Sequence, residues 1–422
     1  MPKKKSKASK SKKQSKSTNP IIRFAKGTWK VLKVIYNFFK RVFERFYNWA
    51  VNPEEKEKLF HARIFGRTLT FAGYMALMII GIVLVTALLT NRSVGIDKEE
   101  IVLTGLAQDF EGYNILVISD MSGRTFGQDQ STLMRQLDTV KYSCVLFAGD
   151  MVGPSGDTDA FYTLIEQLGN KKPIYFIAGD SDPSPILETP RDSSSGTLTW
   201  TQVVYAPWVL GAIERGAIYL DTPQKITKGS RTLWLMPDTF LNLNVLDALD
   251  AYKEELAQEQ DAYLEGVKRT EKTLPLTNYR RNILFKASEL ISSINDSDLI
   301  IMVSHEVPSD AQLNAAQEEL TEDEVKSFFL APDLVVCGHY CAGEWRLPLI
   351  GALHVSSDVL PRYGWFPDDK YVRGTRTVGG ITVYTTAGLG ANNATHFWGR
   401  VNNPPRVSLL TLTGELPASF LD

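Results

Sequence analysis

The sequence predicts an α/β domain that is preceded by a single transmembrane helix. A run of 24 residues without a charge lies at 68–91, five short apolar runs rich in Val, Ile and Leu follow it, and helical stretches separate those runs. Short buried strands that alternate with helices are typical of α/β folds. At 422 residues with 44% hydrophobic residues, the chain is long enough to bury a core of ordinary globular size.

The uncharged run at 68–91 lies between Arg67 and Arg92. As a helix with a rise of about 1.5 Å per residue it would extend about 36 Å, enough to cross a hydrocarbon core of about 30 Å. One alternative is a buried core helix, but such helices rarely run so long without a charge. The other is a cleaved signal peptide, whose apolar region is shorter, about 7–15 residues, and lies nearer the N-terminus. We therefore expect a transmembrane helix over 68–91.

Charge differs between the two sides of this segment. Residues 1–67 carry 19 Lys and Arg against 4 Glu, whereas the rest of the chain carries 27 basic and 44 acidic residues, so the formal net charge of −2 hides a strong asymmetry. Lys and Arg next to a membrane span resist translocation. We therefore expect a single-pass protein of the cell membrane, with its N-terminus in the cytoplasm and its C-terminal part outside the cytoplasmic membrane.

The part before the span divides into a tail and an amphipathic region. Residues 1–27 are rich in Lys and Ser with little to bury, so we expect a disordered basic tail. Residues 28–67 place apolar and aromatic side chains at helical spacing opposite basic ones, and a helix of this kind lies in the headgroup layer of a membrane. Nucleic acid also attracts basic tails, but the aromatic amphipathic region favours anionic membrane lipid as the partner.

Five apolar runs in the C-terminal part, which extends from about residue 95 to 422, predict buried strands. They are YNILVIS (113–119), SCVLFAG (143–149), PIYFIAG (173–179), DLIIMVS (298–304) and DLVVCG (333–338). The carboxylate or imidazole that follows each run is, in order, Asp120, Asp150, Asp180, His305 and His339. Open α/β sheets build their sites at the carboxyl ends of their strands. We therefore expect these five side chains to meet at one edge of the fold.

Each of these residues is weak evidence by itself, since Asp after Gly commonly closes a turn and a lone His is commonly a hydrogen-bonded polar residue. Together, three Asp and two His supply oxygen and nitrogen ligands that suit Mn, Fe or Zn. The order and spacing of the five residues therefore predict a divalent-metal site.

The motifs around these residues resemble those of the calcineurin-like metallophosphoesterases, most closely their membrane-anchored bacterial branch. The family's D-x-H, G-D-x-x-D, G-N-H-D/E, H and G-H-x-H stand here as Asp120-Met121-Ser122, Gly149-Asp150, Gly179-Asp180-Ser181-Asp182, Ser304-His305-Glu306 and Gly338-His339-Tyr340-Cys341. Arg346-Leu347-Pro348 and the closing runs VYTTAGLGANN and NNPPRVSLLTLTG resemble the same branch. The resemblance covers about residue 112 to the end and implies two mixed β-sheets packed as a sandwich, with helices outside.

The resemblance also implies ligand sets for two metal ions. The set for the first ion is Asp150, Asp180, His305 and His339. The set for the second ion is Asp120, Ser122, Asp150 and Cys341. Ser122 is a poor neutral ligand, whereas the thiolate of Cys341 could serve zinc or iron. We therefore expect one divalent ion, Mn, Fe or Zn, and a weaker second site. Alternatives for the cysteines are a disulfide between Cys337 and Cys341, and a role of Cys144 and Cys337 as buried small hydrophobes.

The resemblance implies a hydrolase in which a metal-bound hydroxide attacks a phosphate ester, but the family's leaving-group acid, the His of G-N-H, is Ser181 here. A hydroxyl cannot act as a general acid near neutral pH, and such acid–base work is typically worth about 10²- to 10⁴-fold. Asp182 is a weaker catalytic candidate, and His396 is a candidate replacement acid whose default interpretation is a surface-loop histidine. The alternative hypothesis is a catalytically impaired pseudo-phosphoesterase that acts as an interaction or scaffold module in the cell envelope.

The chain between Asp182 and His305 is long. Its stretch 216–237 predicts a hairpin of two strands, and 241–297 predicts a helical insertion whose first part is strongly acidic. Most of these acids belong to a solvated helix face. The insertion is either a lid over the site or a contact for a protein partner, and its negative charge disfavours polyanions such as nucleic acids.

Overall fold

A computed structural model describes most of the chain after residue 70. The described residues are 37, 40, 41, 44, 63, 64, 67, 68, 71–90, 93–191, 200–264, 274–295, 297–316, 331–347, 350–355, 364–391 and 400–414. The predicted tail at 1–27 and most of the amphipathic region at 28–67 lie outside them. The chain divides into two compact units, 1–82 and 83–422.

The first unit contains a short antiparallel hairpin of β1 (Arg63–Ile64) and β2 (Arg67–Thr68), and α1 (Phe71–Thr90) begins in it. α1 is a 20-residue helix without a charged side chain, and it lies within the run at 68–91. Its side chains are described only in part, and among them Ile79 and Ile80 are 54% and 51% exposed. Taken over the described residues alone, the structure contains no helix long and apolar enough to cross a membrane.

The second unit is built from strands with helices between them. Its strands are β3 (Gly95–Val102), β4 (Asn114–Ile118), β5 (Cys144–Ala148), β6 (Ile174–Ile177), β7 (Ile186–Arg191), β8 (Trp200–Tyr205), β9 (Ala217–Tyr219), β10 (Gln224–Lys228), β11 (Arg231–Pro237), β12 (Leu299–Ser304), β13 (Leu334–Cys337), β14 (Trp345–Leu347), β15 (Gly351–Val355), β16 (Gly364–Trp365), β17 (Gly374–Val378), β18 (Ile381–Thr385) and β19 (Arg406–Thr413). Its helices are α2 (Ser131–Leu137), α3 (Asp159–Leu168), α4 (Pro207–Glu214), α5 (Val245–Leu264), α6 (Leu274–Ile291), α7 (Asp310–Ala315) and α8 (Asp369–Val372).

The first large sheet has the strand order β3-β19-β4-β5-β6-β9. β4, β5, β6 and β9 run parallel to one another, whereas β19 is antiparallel to β4 and parallel to β3. The predicted runs 113–119, 143–149 and 173–179 form β4, β5 and β6. β5 and β6 are buried along their whole length, which explains their continuous apolar sequence.

The second large sheet has the strand order β10-β11-β12-β13-β18-β17. Its four central strands are parallel, and β10 and β17 pair with them antiparallel at the two edges. The predicted runs 298–304 and 333–338 form β12 and β13, which are buried throughout. Both large sheets are therefore mixed, as the resemblance implied.

One hydrophobic core joins the two sheets. Val117 and Leu146 of the first sheet belong to the same buried cluster as Leu235, Val303 and Val336 of the second. The opposite face of the first sheet is covered by α3 and α4, and that of the second by α7 and α8. The predicted α/β class with mixed sheets and flanking helices is confirmed.

Some strands outside the five predicted runs differ from the predicted pattern or were not predicted. The predicted hairpin of two strands within 216–237 is confirmed as β10 and β11, whereas β9, at the start of the same stretch, pairs with β6 in the first sheet and was not predicted. The strand pair β7–β8 and the small sheet β14-β15-β16 were not predicted. Within 241–297, α5 and α6 pack on each other through a small core that includes Val245, Leu249 and Leu284.

Candidate metal centre

The five side chains predicted to converge follow strands of both large sheets. Asp120, Asp150 and Asp180 come after β4, β5 and β6, and His305 and His339 come after β12 and β13. The sheets are linked at this edge, because Nδ1 of His305 lies 2.8 Å from the Ala148 carbonyl oxygen at the end of β5. The carboxyl ends of the strands in the two sheets therefore meet.

Asp180, His305 and His339 form a group of three potential ligands. Oδ1 of Asp180 lies 2.8 Å from Nε2 of His305 and 3.2 Å from Nδ1 of His339, and the two imidazole nitrogens are 3.3 Å apart. Ligand atoms bonded to one divalent ion at about 2.0–2.2 Å lie about 2.8–3.1 Å apart in octahedral coordination and about 3.3–3.6 Å apart in tetrahedral coordination. The donor types and spacings of these three atoms therefore fit a divalent cation.

A carbonyl group orients the imidazole of His305. If Nδ1 donates its hydrogen to the Ala148 carbonyl oxygen 2.8 Å away, the lone pair of Nε2 is directed to Asp180 and Asp150. Support of this kind behind a histidine ligand fixes its tautomer and its ring orientation. Since the His305 side chain is only 6% exposed, that orientation is also fixed by packing.

Asp120, Asp150 and His305 form a second, fully buried group. Oδ2 of Asp150 lies 3.2 Å from Nε2 of His305, and Oδ1 of Asp120 accepts a hydrogen bond from the backbone N–H of His339 at 2.9 Å. Both groups use the same imidazole of His305, and a neutral imidazole nitrogen offers one lone pair. The arrangement therefore favours one ion rather than two.

Tight turns present these ligands. Asp120, Asp150 and His339 have φ values of 54°, 54° and 74°, in the left-handed region that residues with a side chain rarely adopt. Gly149 allows the close approach of His305 from the second sheet, and Gly179 allows the close approach of Asp150 from the neighbouring strand of the first sheet. A Cβ atom on Gly149 would lie 2.5 Å from Nδ1 of His305, and one on Gly179 would lie 2.2 Å from Oδ1 of Asp150. Only glycine fits before each of these carboxylates.

Hydrogen bonds and burial shift the pKa values of the carboxyl and imidazole groups in the site. Hydrogen bonds from His305 and His339 hold the pKa of Asp180 well below its usual range. Burial lowers the pKa of His305, but hydrogen bonds to Asp150 and Asp180 outweigh it and raise that pKa well above its usual value. Burial raises the pKa of Asp120. The hydrogen bonds of His305 to Asp150 and Asp180 require a proton on its Nε2, and a divalent ion bound through the lone pair of that nitrogen would displace the proton and offset the carboxylate charge in its place.

Cys341 and Ser122, which stand in the place of ligands to a second ion, differ from the five convergent residues. Cys341 belongs to neither group of potential ligands, and burial raises the pKa of its thiol well above the usual value. Ser122 donates its backbone N–H to the Asp150 carbonyl oxygen at 2.8 Å. All three cysteines are buried and free, so Cys337 and Cys341 are not joined in a disulfide.

The candidate catalytic residues Ser181, Asp182 and His396 differ in their positions relative to the candidate metal ligands. Ser181 is half-buried, and its backbone N–H donates to Oδ1 of Asp150 at 2.9 Å. The buried carboxylate of Asp182 accepts hydrogen bonds from four backbone N–H groups, those of Met151, Val152, Gly153 and Gly179. Asp182 therefore ties the loop after β5 to the loop after β6, a positioning role. His396 lies outside the described residues.

Arg400 is a supporting residue that the sequence reasoning missed. Its fully buried guanidinium donates to the carbonyl oxygens of Ala387, Gly388, Gly390 and Asn403, at 2.7–3.0 Å. The loop that it holds lies against Asp120, since a Cβ atom on Gly388 would be 2.5 Å from Oδ2 of that carboxylate. Because its partners are backbone carbonyls, no sequence signal identifies this role.

Ser119 is a second supporting residue that was not predicted. Its hydroxyl donates to Oδ2 of Asp120, and its side chain is fully buried at the end of β4. The signal that could have found it is its position, since a buried hydroxyl directly before a predicted ligand needs a hydrogen-bond partner.

A comparison with protein-family models agrees with this geometry. The family model described as calcineurin-like phosphoesterase matches residues 113–343, just over half of the chain. No curated protein matches the chain. Chains of solved structures do match, among them the phosphopantetheinyl hydrolase from Mycobacterium tuberculosis, which is 12% identical. That comparison covers 66% of this chain and 91% of the hydrolase, with a TM-score of 0.30.

Proposed function

The chain belongs to the calcineurin-like phosphoesterase family, and from that membership we propose that its second unit hydrolyses a phosphate ester with a divalent ion held by Asp180, His305 and His339. One observation carries the proposal. Three donor atoms from three separate strand ends, Oδ1, Nε2 and Nδ1, lie within 3.3 Å of one another. Residues so distant in sequence converge in this way at metal sites.

The chain's own residues would hold and orient the reacting groups. A divalent ion at this position would polarise a phosphoryl oxygen and make a bound water acidic. The carbonyl group of Ala148 orients His305, and Asp150 lies beside the same imidazole as a further carboxylate ligand. The Ser181 backbone N–H donates to Oδ1 of Asp150 and helps to fix that carboxylate. The hydroxyl of Ser181 stands in the motif where the family has its leaving-group acid, and there it would serve as a hydrogen-bond donor. A hydroxyl does not protonate a poor leaving group near neutral pH, so esters with good leaving groups are the favoured substrates.

The second candidate function is a pseudo-phosphoesterase that keeps the two sheets and at most one ion, and that serves as an interaction or scaffold module in the cell envelope. The residues that replace the family's imidazoles favour it. Ser122 and Ser181 stand where the family has histidines. Cys341, which replaces a third histidine, belongs to neither group of potential ligands. A site with these replacements can bind a cation and still lack the acid that turnover requires.

Metal content and hydrolysis measured on the same preparations separate the two functions. The full chain should hold about one Mn, Fe or Zn ion by elemental analysis and hydrolyse an activated aryl phosphate mono- or diester. His339→Ala should lower metal affinity by about 10- to 100-fold and abolish hydrolysis, since it removes a ligand. The matched control is His354→Ala, because His354 lies in β15 against Trp365, away from both ligand groups.

Three results decide the matter. One ion with hydrolysis that depends on His339 supports the enzyme. No hydrolysis of any aryl ester under several metals, with one bound ion or none, supports the pseudo-phosphoesterase. Hydrolysis by a full chain that binds no divalent ion overturns both.

We further propose that residues 68–91 anchor the chain in the cell membrane, with residues 95–422 outside the cytoplasmic membrane. The support is the absence of charge over 24 residues, the exposed Ile79 and Ile80 of the helix at Phe71–Thr90, and the excess of Lys and Arg on its N-terminal side. The basic residues of 1–67 would then lie next to anionic lipid.

A further inference from the structure

A cavity of about 480 Å³ lies beside the candidate metal centre. Carboxyl ends of β6, β9 and β11 form one side of it, and α5 and α6 of the helical insertion form the other. Its apolar lining includes Ile177, Leu220, Phe240, Leu243, Ile283 and Leu284. Cavities of roughly 300–1,000 Å³ with such a lining are the usual sites for small molecules.

His305 connects the cavity to the site. It lines the cavity and also belongs to both groups of potential metal ligands. A phosphate placed at His305 would therefore have the cavity next to it, and an ester group attached to that phosphate could extend toward α5 and α6. This continuity identifies the cavity's occupant as the alcohol part of the substrate.

The charges around the cavity favour a neutral occupant. Two carboxylates line it, and both already have partners: the hydroxyl of Tyr205 donates to Asp221, and that of Ser304 donates to Asp238 at 2.6 Å. The cation in the lining, Arg280, is exposed on α6. A second anionic group deep in the cavity would therefore meet carboxylates and apolar side chains, at a large desolvation cost.

We propose that this cavity binds an extended apolar chain, so that the substrate class is a phosphate ester of a long-chain alcohol. The inference rests on the proposed phosphoesterase function and deepens it. The helical insertion then has a defined purpose, because Leu243, Ile283 and Leu284 supply apolar surface that the two sheets alone do not offer. Burial of an apolar chain is worth about 0.8 kcal/mol per methylene, or about fourfold in affinity.

The proposal is tested on the full-length protein by varying the length of the alkyl chain in the substrate. Alkyl 4-nitrophenyl phosphodiesters with alkyl groups from methyl to decyl, below their aggregation concentrations, keep the good leaving group constant and should release 4-nitrophenol with kcat/KM rising about fourfold per methylene until the cavity is filled. Decylphosphonate, which is not hydrolysed, should bind more tightly than methylphosphonate by calorimetry. Binding to phosphatidic acid in phosphatidylcholine vesicles, compared with binding to dispersed decylphosphonate, distinguishes a bilayer lipid from a soluble ester as the source of the alkyl chain.

A matched pair of variants on α5 tests whether the alkyl chain of the substrate lies in the cavity. Ala248 is half-buried and lines the cavity, whereas Leu246 is 40% exposed on the same helix and is not among the lining residues. Ala248→Trp should reduce the ratio of kcat/KM for the decyl diester to that for the methyl diester by at least about tenfold, since the indole fills space that the alkyl chain needs. Leu246→Trp should leave the ratio unchanged.

The outcomes separate this inference from the proposed function. Hydrolysis of short esters without any gain from chain length, with equal binding of the two phosphonates, overturns the cavity assignment and leaves the phosphoesterase intact. Failure to hydrolyse any ester overturns the phosphoesterase. The comparison of decylphosphonate with methylphosphonate uses the unaltered chain, so the assignment stays testable even if Ala248→Trp does not fold.

Discussion

At the scale of single residues, Asp182 shows that a carboxylate can build a site without being a ligand. Its two oxygens accept four backbone hydrogen bonds at 2.7–3.3 Å, three from the loop after β5 and one from Gly179. We expect Asp182→Ala to lower the free energy of unfolding by about 3 kcal/mol or more, because buried N–H groups lose a charged acceptor. Urea denaturation monitored by circular dichroism measures this change.

The control for Asp182 is Asp138→Ala. Asp138 is an exposed carboxylate at the end of α2, and its removal should change stability by no more than about 0.5 kcal/mol. Equal stability of the two variants would show that the loops after β5 and β6 do not depend on Asp182. A further readout is metal affinity, which should fall in Asp182→Ala because Asp150 and Asp180 lie on the tethered loops.

The predictability of the site differs from residue to residue. Asp150, Asp180 and His305 could be predicted because each follows a continuous apolar run that ends in Gly or Ser. The position of Cys341 could not, since coordination depends on its distance from ligands on other strands. The same motif that places His339 in the site leaves Cys341 buried outside both ligand groups.

At the scale of elements, an ion pair fixes the turn between β13 and β14. Nη2 of Arg346 lies 2.6 Å from Oδ2 of Asp369 in α8, and Nη1 donates to the Ala342 carbonyl oxygen at 2.8 Å, three residues after His339. Burial raises the pKa of Asp369, but Arg346 outweighs it and holds that pKa below the usual 3.8. The pair therefore orders the backbone next to a proposed ligand.

A pH dependence follows from the lowered pKa of Asp369. A carboxyl whose pKa falls on folding stabilises the fold above its unfolded value of 3.8 and loses that contribution as the pH drops through its folded value. We expect Asp369→Asn to be less stable than the wild type at pH 7, by under about 1 kcal/mol because the pair is half exposed. The difference should shrink below about pH 4 in urea titrations. The matched control is Asp138→Asn, at an exposed carboxylate. A stability difference for Asp369→Asn that persists at the lowest pH, or that equals the difference for Asp138→Asn, would contradict this prediction.

The strands themselves divide into those that the sequence predicts and those that it does not. β5, β6, β12 and β13 are buried throughout, so they read as unbroken apolar runs. β3 has the sequence GIDKEEIV, with charged side chains on a partly exposed strand, and nothing in it indicates a strand. β9 is three residues long, and its pairing with β6 joins segments about forty residues apart. Local pattern cannot specify such a pairing.

At the scale of the whole molecule, the division of charge agrees with a membrane between the two ends of the chain. The 19 basic residues of 1–67 and the 44 acidic residues after them are separated by a segment without charge. Two modes of membrane association are then available: insertion of 68–91, driven by burial of apolar side chains, and attraction of the basic part to anionic lipid. They differ in their response to salt, because salt screens the second and not the first.

We therefore expect the full chain to stay in the membrane fraction in about 1 M salt, where the Debye length is about 3 Å. A chain that lacks 68–91 should bind anionic vesicles at low salt and leave them at high salt, whereas a chain that lacks 1–27 should remain in the membrane. Protease added to cells whose outer layers have been removed should digest the second unit and spare the N-terminal part, because the basic flank holds the N-terminus inside. Release of the full chain by salt alone would contradict the membrane anchor. Protection of the second unit from external protease would contradict the orientation of the anchor.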